Sequence, residues 1–334
     1  MGLFPDEIES RVTSLKKFKC TDIFKSLSRG IFDSADFTTL SLKEREYLST
    51  EFKTHCLEVL EKKVEVDGSL KISLKLFDQN IIEAVLLNDG KQRKTACLSS
   101  QVGCPLACAF CKTGHMGFAR NLFTGEIVEQ FFILEKIAGS IDNIVFMGMG
   151  EPLLNLPNLA KAIKILSHKA GRSLSLRRIT ISTAGVIAGI DSLAEIFPEI
   201  RLAVSLTTAN EALRKQLMPI TESNPLAELK ACLKRFAEKT KRRITLELAL
   251  MHRVNTERAE ANAVISFARE INAHVNLIPW NEIPELNFKT PDENELIRFE
   301  NWLKDAHINV TRRAKHGGNI SAACGQLGKI IPPQ

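Results

Sequence analysis

The sequence predicts an α/β protein: a partial, TIM-like (β/α)6 barrel preceded by a small helical accessory domain. Three observations carry this. From residue 94 onward, short apolar segments alternate six times with longer stretches of helical periodicity, the pattern of a parallel sheet with right-handed crossovers. Before residue 75 the dominant spacing is helical. The 334 residues, 44% apolar and 25% charged, suit one large globular domain and one small one. The expected division is 1–75 for the accessory domain and 76–334 for the core.

The elements follow in order. Ile8, Val12, Leu15 and Phe18 recur at helical spacing, and Ile23, Phe24 and Leu27 continue it. Ser41-Leu42-Lys43-Glu44 has the form of a capping box, opening a helix through Tyr47, Leu48 and Phe52. Residues 71–76 alternate, 80–87 are apolar, and Asn88-Asp89-Gly90 forms a turn before the next strand. Barrel strands are expected at 94–99, 143–147, 178–182, 201–206, 243–250 and 274–278. Helices are expected at 124–137, 159–166, 187–196, 209–218, 226–239, 257–271 and 293–306. Six units are too few for a closed eight-fold barrel, and such a fold keeps its chemistry at the C-terminal ends of the strands. There is no internal repeat and no low-complexity tail.

No apolar run approaches the ~18 residues of a membrane span. The start, Met1-Gly2-Leu3-Phe4-Pro5, lacks the basic and apolar regions of a secretory signal. Eight cysteines without an export signal point to a reducing, cytoplasmic compartment, where clustered thiols bind metal or do redox work. The net charge of +6 is uneven. Residues 1–80 hold 13 basic and 14 acidic groups, so the rest carries 45 − 13 = 32 against 39 − 14 = 25. Basic runs lie at Arg172, Arg177 and Arg178, at Lys239, Lys241, Arg242 and Arg243, and at Arg312, Arg313 and Lys315. Such runs are usually solvated surface, and a polyanionic substrate also calls for them.

The run Gly103-Cys104-Pro105-Leu106-Ala107-Cys108-Ala109-Phe110-Cys111 sets three cysteines at C-x3-C-x2-C on one loop after the first barrel strand. Three thiolates on one loop can hold three irons of a cubane cluster that ordinarily has four cysteine ligands. The remaining iron keeps an open position. The alternative is a closed Cys3His zinc site completed by His115. Gly148-Met149-Gly150-Glu151-Pro152 follows the next strand directly. A glycine-rich turn there can lay backbone against a ligand, and Glu151 can accept a hydrogen bond from an ammonium group.

Together these two segments resemble the radical S-adenosylmethionine (SAM) enzymes, in which such a turn holds the methionine amino group of SAM. Three further segments narrow the likeness: Cys97-Leu98-Ser99-Ser100-Gln101, Asn276-Leu277-Ile278-Pro279-Trp280-Asn281, and Ala322-Ala323-Cys324-Gly325-Gln326-Leu327. Over most of residues 80–330 the chain resembles the adenine carbon-2 RNA methyltransferases, which act on 23S rRNA and, in dual-specificity members, on tRNA. The resemblance implies a radical SAM barrel, an RNA-binding accessory domain and a C-terminal methyl-carrier cysteine loop. It also implies a [4Fe–4S] cluster on Cys104, Cys108 and Cys111, and two SAM molecules per turnover. SAM contacts fall on Gly150, Glu151, Ser182, Ser205, Leu206, Thr207 and Asn281.

Carbon 2 of adenine is not a nucleophile, so direct methyl transfer from SAM fails. The resemblance implies a detour. The Cys324 thiolate takes a methyl group from one SAM. A 5′-deoxyadenosyl radical from a second SAM removes a hydrogen from that methyl, and the resulting carbon radical adds to carbon 2. Cys97 then attacks the Cys324 sulfur, which leaves a disulfide and frees the product. Glu83 matches the proposed base for the carbon-2 proton, with Cys97 able to share the task. Without the family, Glu83 reads as a solvent-facing strand carboxylate and Cys97 as a small buried hydrophobe. Cys20, Cys56 and Cys232 read as structural. The electron donor implied is a flavodoxin or ferredoxin, and a monomer is the default.

Departures from the family are specific. Thr207 stands where a histidine is usual, and His316-Gly317-Gly318-Asn319-Ile320-Ser321 replaces Arg-Gly-x-Asp-Ile-Asp. They imply a diverged paralogue with the same chemistry and a changed RNA preference. Two alternatives stay open: a carbon-8 adenine methylase of the resistance type, and a zinc-stabilised RNA-binding protein without catalysis.

Overall fold

The structure is a computed structural model that describes residues 2–88, 90, 93–313 and 323–328. Asp89, His316, Asn319 and Ser321 lie outside these residues. The N-terminal part holds α1 (Pro5–Arg11), α2 (Lys17–Leu27) and α3 (Leu42–Glu51). The Ser41 box forms as expected: Ser41 N donates to Glu44 Oε2 at 2.7 Å, and Ser41 Oγ accepts from Glu44 N at 3.4 Å. The apolar spacing of 8–18 is not one helix, because α1 ends at Arg11 and Phe18 on α2 is 56% exposed.

Strands begin earlier than the helical spacing suggested. β1 (Glu58–Val64), β2 (Leu70–Lys75) and β3 (Ile81–Asn88) form an antiparallel meander. The first of them carries no apolar alternation because it is an edge strand, open on almost every residue. β3 runs antiparallel to β4 (Lys94–Cys97), where the parallel barrel starts. After the short hairpin β5 (Gln101–Gly103) and β6 (Phe118–Asn121) come α4 (Thr124–Ala138), β7 (Asn143–Phe146), α5 (Leu156–Leu166) and β8 (Ile179–Thr183). Then follow α6 (Ile187–Ile196), β9 (Arg201–Ser205), α7 (Glu211–Leu217), α8 (Leu226–Thr240) and β10 (Thr245–Leu250). Last are α9 (Arg258–Glu270), β11 (His274–Pro279), α10 (Glu293–Asp305) and β12 (Val310–Arg312).

The main sheet has the order β1-β2-β3-β4-β7-β8-β9-β10-β11-β12, parallel from β4 to β12. Six βα units are present, as the sequence predicts. β12, only three residues long, adds a seventh parallel strand that its short polar sequence concealed. Within the barrel strands Ile144, Ile179, Ile181, Val204, Leu246, Leu248, Val275 and Leu277 are fully buried; in β7, β8 and β11 they alternate with less buried residues, so one face packs as core.

One helix ties the N-terminal part to the core and aims the loop after β4. Glu129 of α4 is fully buried and accepts from Cys56 N, Cys56 Sγ and Leu57 N, with His55 paired to it. Its neighbour Gln130 accepts from Ser99 N at 2.9 Å and donates to Ser99 O at 3.1 Å. Buried polar groups survive only when partnered, and both of these are.

Candidate active site

The site gathers at the C-terminal ends of β4, β7, β8, β9 and β11. Two loops are laced together there. Gly148 N donates to Leu98 O, Met149 N to Ser99 Oγ, Ser100 N to Met149 O, and Glu151 N to Gln101 Oε1. Asn155 Nδ2 donates to both Ser100 O and Leu122 O at 2.8 Å. The glycines are required by this closeness. A Cβ on Gly148 would lie 2.6 Å from Leu98 O, and one on Gly150, at φ +95°, 2.7 Å from Gln101 Cγ.

One cavity is lined by Cys104, Cys108, Cys111, Gly150, Glu151, Ser182, Ser205, Thr207, Asn281 and Cys324. Most residues singled out in the sequence therefore meet in one place. The three loop thiols are free, and burial pushes each upward, Cys104 to about 12. The thiols also raise one another, so three thiolates here need a cationic centre between them. Among the described residues, the only three or more histidine, cysteine or carboxylate groups with ligand atoms all within 4.8 Å of one another are His252, Asp292 and Glu295. The cysteine trio is spread wider than that. A single tetrahedral zinc, with Zn–S near 2.3 Å, would draw its sulfurs to about 3.8 Å of one another. His115 is exposed, with Nε2 3.0 Å from Ala109 O, and is not on the cavity wall. The donor set fits an iron–sulfur cluster better than the Cys3His zinc alternative.

Glu151 is 3% exposed, and burial pushes its carboxyl up to about 7. Leu153 N and Ala184 N donate to its oxygens at 3.1 and 2.8 Å. A buried carboxylate with only neutral partners favours a cation beside it. Thr207 sits at φ +61°, a strained backbone for a β-branched residue, with its N donating to Glu247 O and its O accepting from Asn255 Nδ2. The Leu206 side chain is fully buried in the core and off the cavity wall, while its backbone bonds Glu247 and Arg214.

The turn carrying Cys324 is tied to the cysteine loop. Lys112 N donates to Gly325 O at 2.8 Å, Thr113 Oγ1 to Leu327 O at 2.8 Å, Asn281 Nδ2 to Cys324 O at 3.4 Å, and Gln326 Nε2 to Glu282 O at 2.9 Å. Trp280 Nε1 donates to Phe110 O at 2.9 Å on the other side. Cys97, at the end of β4, is buried with its thiol pushed up to about 12, mainly by burial and further by the nearby Cys324. Glu83 is not solvent-facing. It is 6% exposed, pairs with Lys71 Nζ at 3.1 Å and accepts from Gly328 N at 2.7 Å, and it lines a separate cavity.

Sequence reasoning missed Arg214 and the contact made by Arg313. Arg214 is fully buried on α7 and donates to Ala184 O, Leu206 O, Ser205 O and Thr221 Oγ1, which fixes the ends of β8 and β9. Arg313 Nη1 is 3.9 Å from Cys324 Sγ. Within the sequence both look like ordinary helix or surface arginines.

Comparison with known proteins agrees with this geometry. The family described as the Radical SAM superfamily matches residues 98–263, which implies an iron–sulfur cluster and SAM binding. The "Probable dual-specificity RNA methyltransferase RlmN" of Treponema pallidum (strain Nichols) is 51% identical over 328 residues, covering 98% of this chain and 96% of that protein. The protein of the same name from Treponema denticola is 52% identical over 327 residues, covering 98% and 94%. The crystal structure of a radical SAM methyltransferase from Sphaerobacter thermophilus superposes with a TM-score of 0.94 at 36% identity, covering 98% of each chain.

Proposed function

Because the chain belongs to the RlmN family of dual-specificity RNA methyltransferases, within the radical SAM superfamily, we infer that it methylates carbon 2 of an adenosine in 23S rRNA and in tRNA. One observation supports the assignment of residues: a single cavity is lined by Cys104, Cys108 and Cys111, by the Gly150-Glu151 turn and by Cys324. Cys104, Cys108 and Cys111 would hold a [4Fe–4S] cluster, with SAM used twice per turnover. Bound there, cluster and SAM supply one-electron chemistry and a methyl group, which an electron-poor carbon needs.

The chain's own groups do the rest. Glu151 receives the SAM ammonium, and Ser182, Ser205, Thr207 and Asn281 complete the wall. Cys324 is the nucleophile, and the Arg313 guanidinium lies beside it, Nη1 3.9 Å from its Sγ. Cys97 stays protonated because burial holds its thiol near 12, so it does not compete for the methyl group and is kept for resolving the adduct. Glu83 is engaged by Lys71 and Gly328. We therefore assign it both to anchoring the Cys324 turn and to accepting the carbon-2 proton, which a protonated Cys97 cannot take. Residues 1–75 act as the accessory RNA-binding part of the core at 76–334. A flavodoxin- or ferredoxin-type donor serves a cytoplasmic, monomeric enzyme. Among the described residues no helix is long and apolar enough to cross a membrane.

The test is mass analysis of nucleosides from 23S rRNA and tRNA after reaction with methyl-labelled SAM. The expected product is 2-methyladenosine, absent with Cys324→Ala. A product methylated at carbon 8, or turnover by Cys324→Ala, overturns the assignment.

A further inference from the structure

A second cavity opens at the other end of the barrel, where the parallel strands begin. It measures about 640 Å³. Arg201 opens β9, Arg242 and Arg243 precede β10, and Arg93 precedes β4; with Arg313, five arginines line it against one carboxylate, Glu247. Arg201 and Arg243 are exposed. Among the described residues, Arg201, Arg242 and Arg243 pair with no carboxylate. Solvated surface arginines are the ordinary reading of such a run. Here the charges of Arg201, Arg242 and Arg243 come from the starts of two neighbouring strands, converge on one concavity and have no carboxylate partner among the described residues, which concentrates positive potential.

The basic cavity leads to the candidate active site. Met147 and Glu247 line both cavities. Arg313, on the wall of the basic one, has Nη1 3.9 Å from Cys324 Sγ. An adenosine whose carbon 2 must meet a sulfur inside the barrel has to leave its stack, while the phosphates on either side stay outside.

We propose that this cavity is the RNA entrance: Arg201, Arg242 and Arg243 hold the phosphates flanking the target nucleotide, and its base passes Met147 and Glu247 to reach Cys324. The proposal rests on the RNA methyltransferase reading above. Arginine suits the task because its planar fork binds phosphate bidentately.

The experiment titrates the cluster-loaded enzyme against a fluorescein-labelled RNA stem-loop bearing an unpaired adenosine, between about 50 and 200 mM salt, and reads anisotropy. Arg201→Gln and Arg243→Gln should each lower the slope of log affinity against log salt by about 0.7–0.9, and together by about twice that. With the loaded enzyme, KM for RNA should rise while kcat holds. Arg235→Gln, which removes an exposed arginine paired with Asp191 on another face, should leave the slope unchanged. If the double variant keeps the wild-type slope on RNA that the wild type binds and methylates, the entrance is elsewhere, and the methyltransferase reading survives. If the wild type neither binds nor methylates RNA, both fail.

Discussion

At the scale of single residues, the site depends on backbone closeness and on one buried carboxylate. Gly148 leaves no room for a methyl group against Leu98 O and Ser99 N. Gly148→Ala should destabilise the fold by about 1–3 kcal/mol, measured by chemical denaturation, and should lower cluster retention as the two loops separate. Glu151→Gln should leave the fold intact, because an amide still accepts from Leu153 N or Ala184 N. It should weaken SAM binding about 10- to 100-fold, the size of a charged hydrogen bond of about 1.5–3 kcal/mol, read by calorimetry on the loaded protein. These residues were legible because both motifs are local in sequence. Arg313 was not: its closeness to Cys324 depends on the register of β12 beside β11, which only the fold sets. Leu206 lies beside Ser205 in sequence, and its side chain turns into the core.

At the scale of elements, α4 joins the two parts of the chain through polar groups that periodicity does not reveal. Glu129 and Gln130 would pass in sequence as solvent-facing residues of an amphipathic helix, yet both are fully buried. Glu129 raises the pKa of His55 by the hydrogen bond between them, against the opposing effect of burial. The sign follows from linkage: a histidine with a raised folded pKa contributes stability that is full below its unfolded value, near 6.5, and is lost as pH rises through the folded value. Stability measured in urea should therefore fall as pH rises from the unfolded value, near 6.5, through the higher folded one, and His55→Gln should flatten that part of the profile. The effect should be small, since the His55 side chain is half exposed. β1 escaped the sequence because an edge strand needs no buried face. β8, β10 and β11 were legible within two residues because each carries a fully buried apolar face whose residues recur along the strand.

At the scale of the whole molecule, the six βα units and the position of the cysteine loop after β4 were readable from alternation alone. The gathering of Cys324 with that loop was readable only through family resemblance, because 213 residues (324 − 111) separate Cys324 from Cys111. What the fold adds is polarity: thiols, Glu151 and Cys324 at the C-terminal ends of the strands, Arg201, Arg242 and Arg243 at the N-terminal ends, and Met147 and Glu247 between them. The central claim is that the wide thiol trio holds a cubane cluster rather than one zinc. It is tested most directly by iron, sulfide and zinc analysis of anaerobically purified protein, together with its visible spectrum. The account predicts a brown protein with about four irons and about four sulfides per chain, bleached by dithionite and colourless in Cys108→Ser. A colourless wild-type protein that retains one zinc and cannot be reconstituted with iron and sulfide would contradict it.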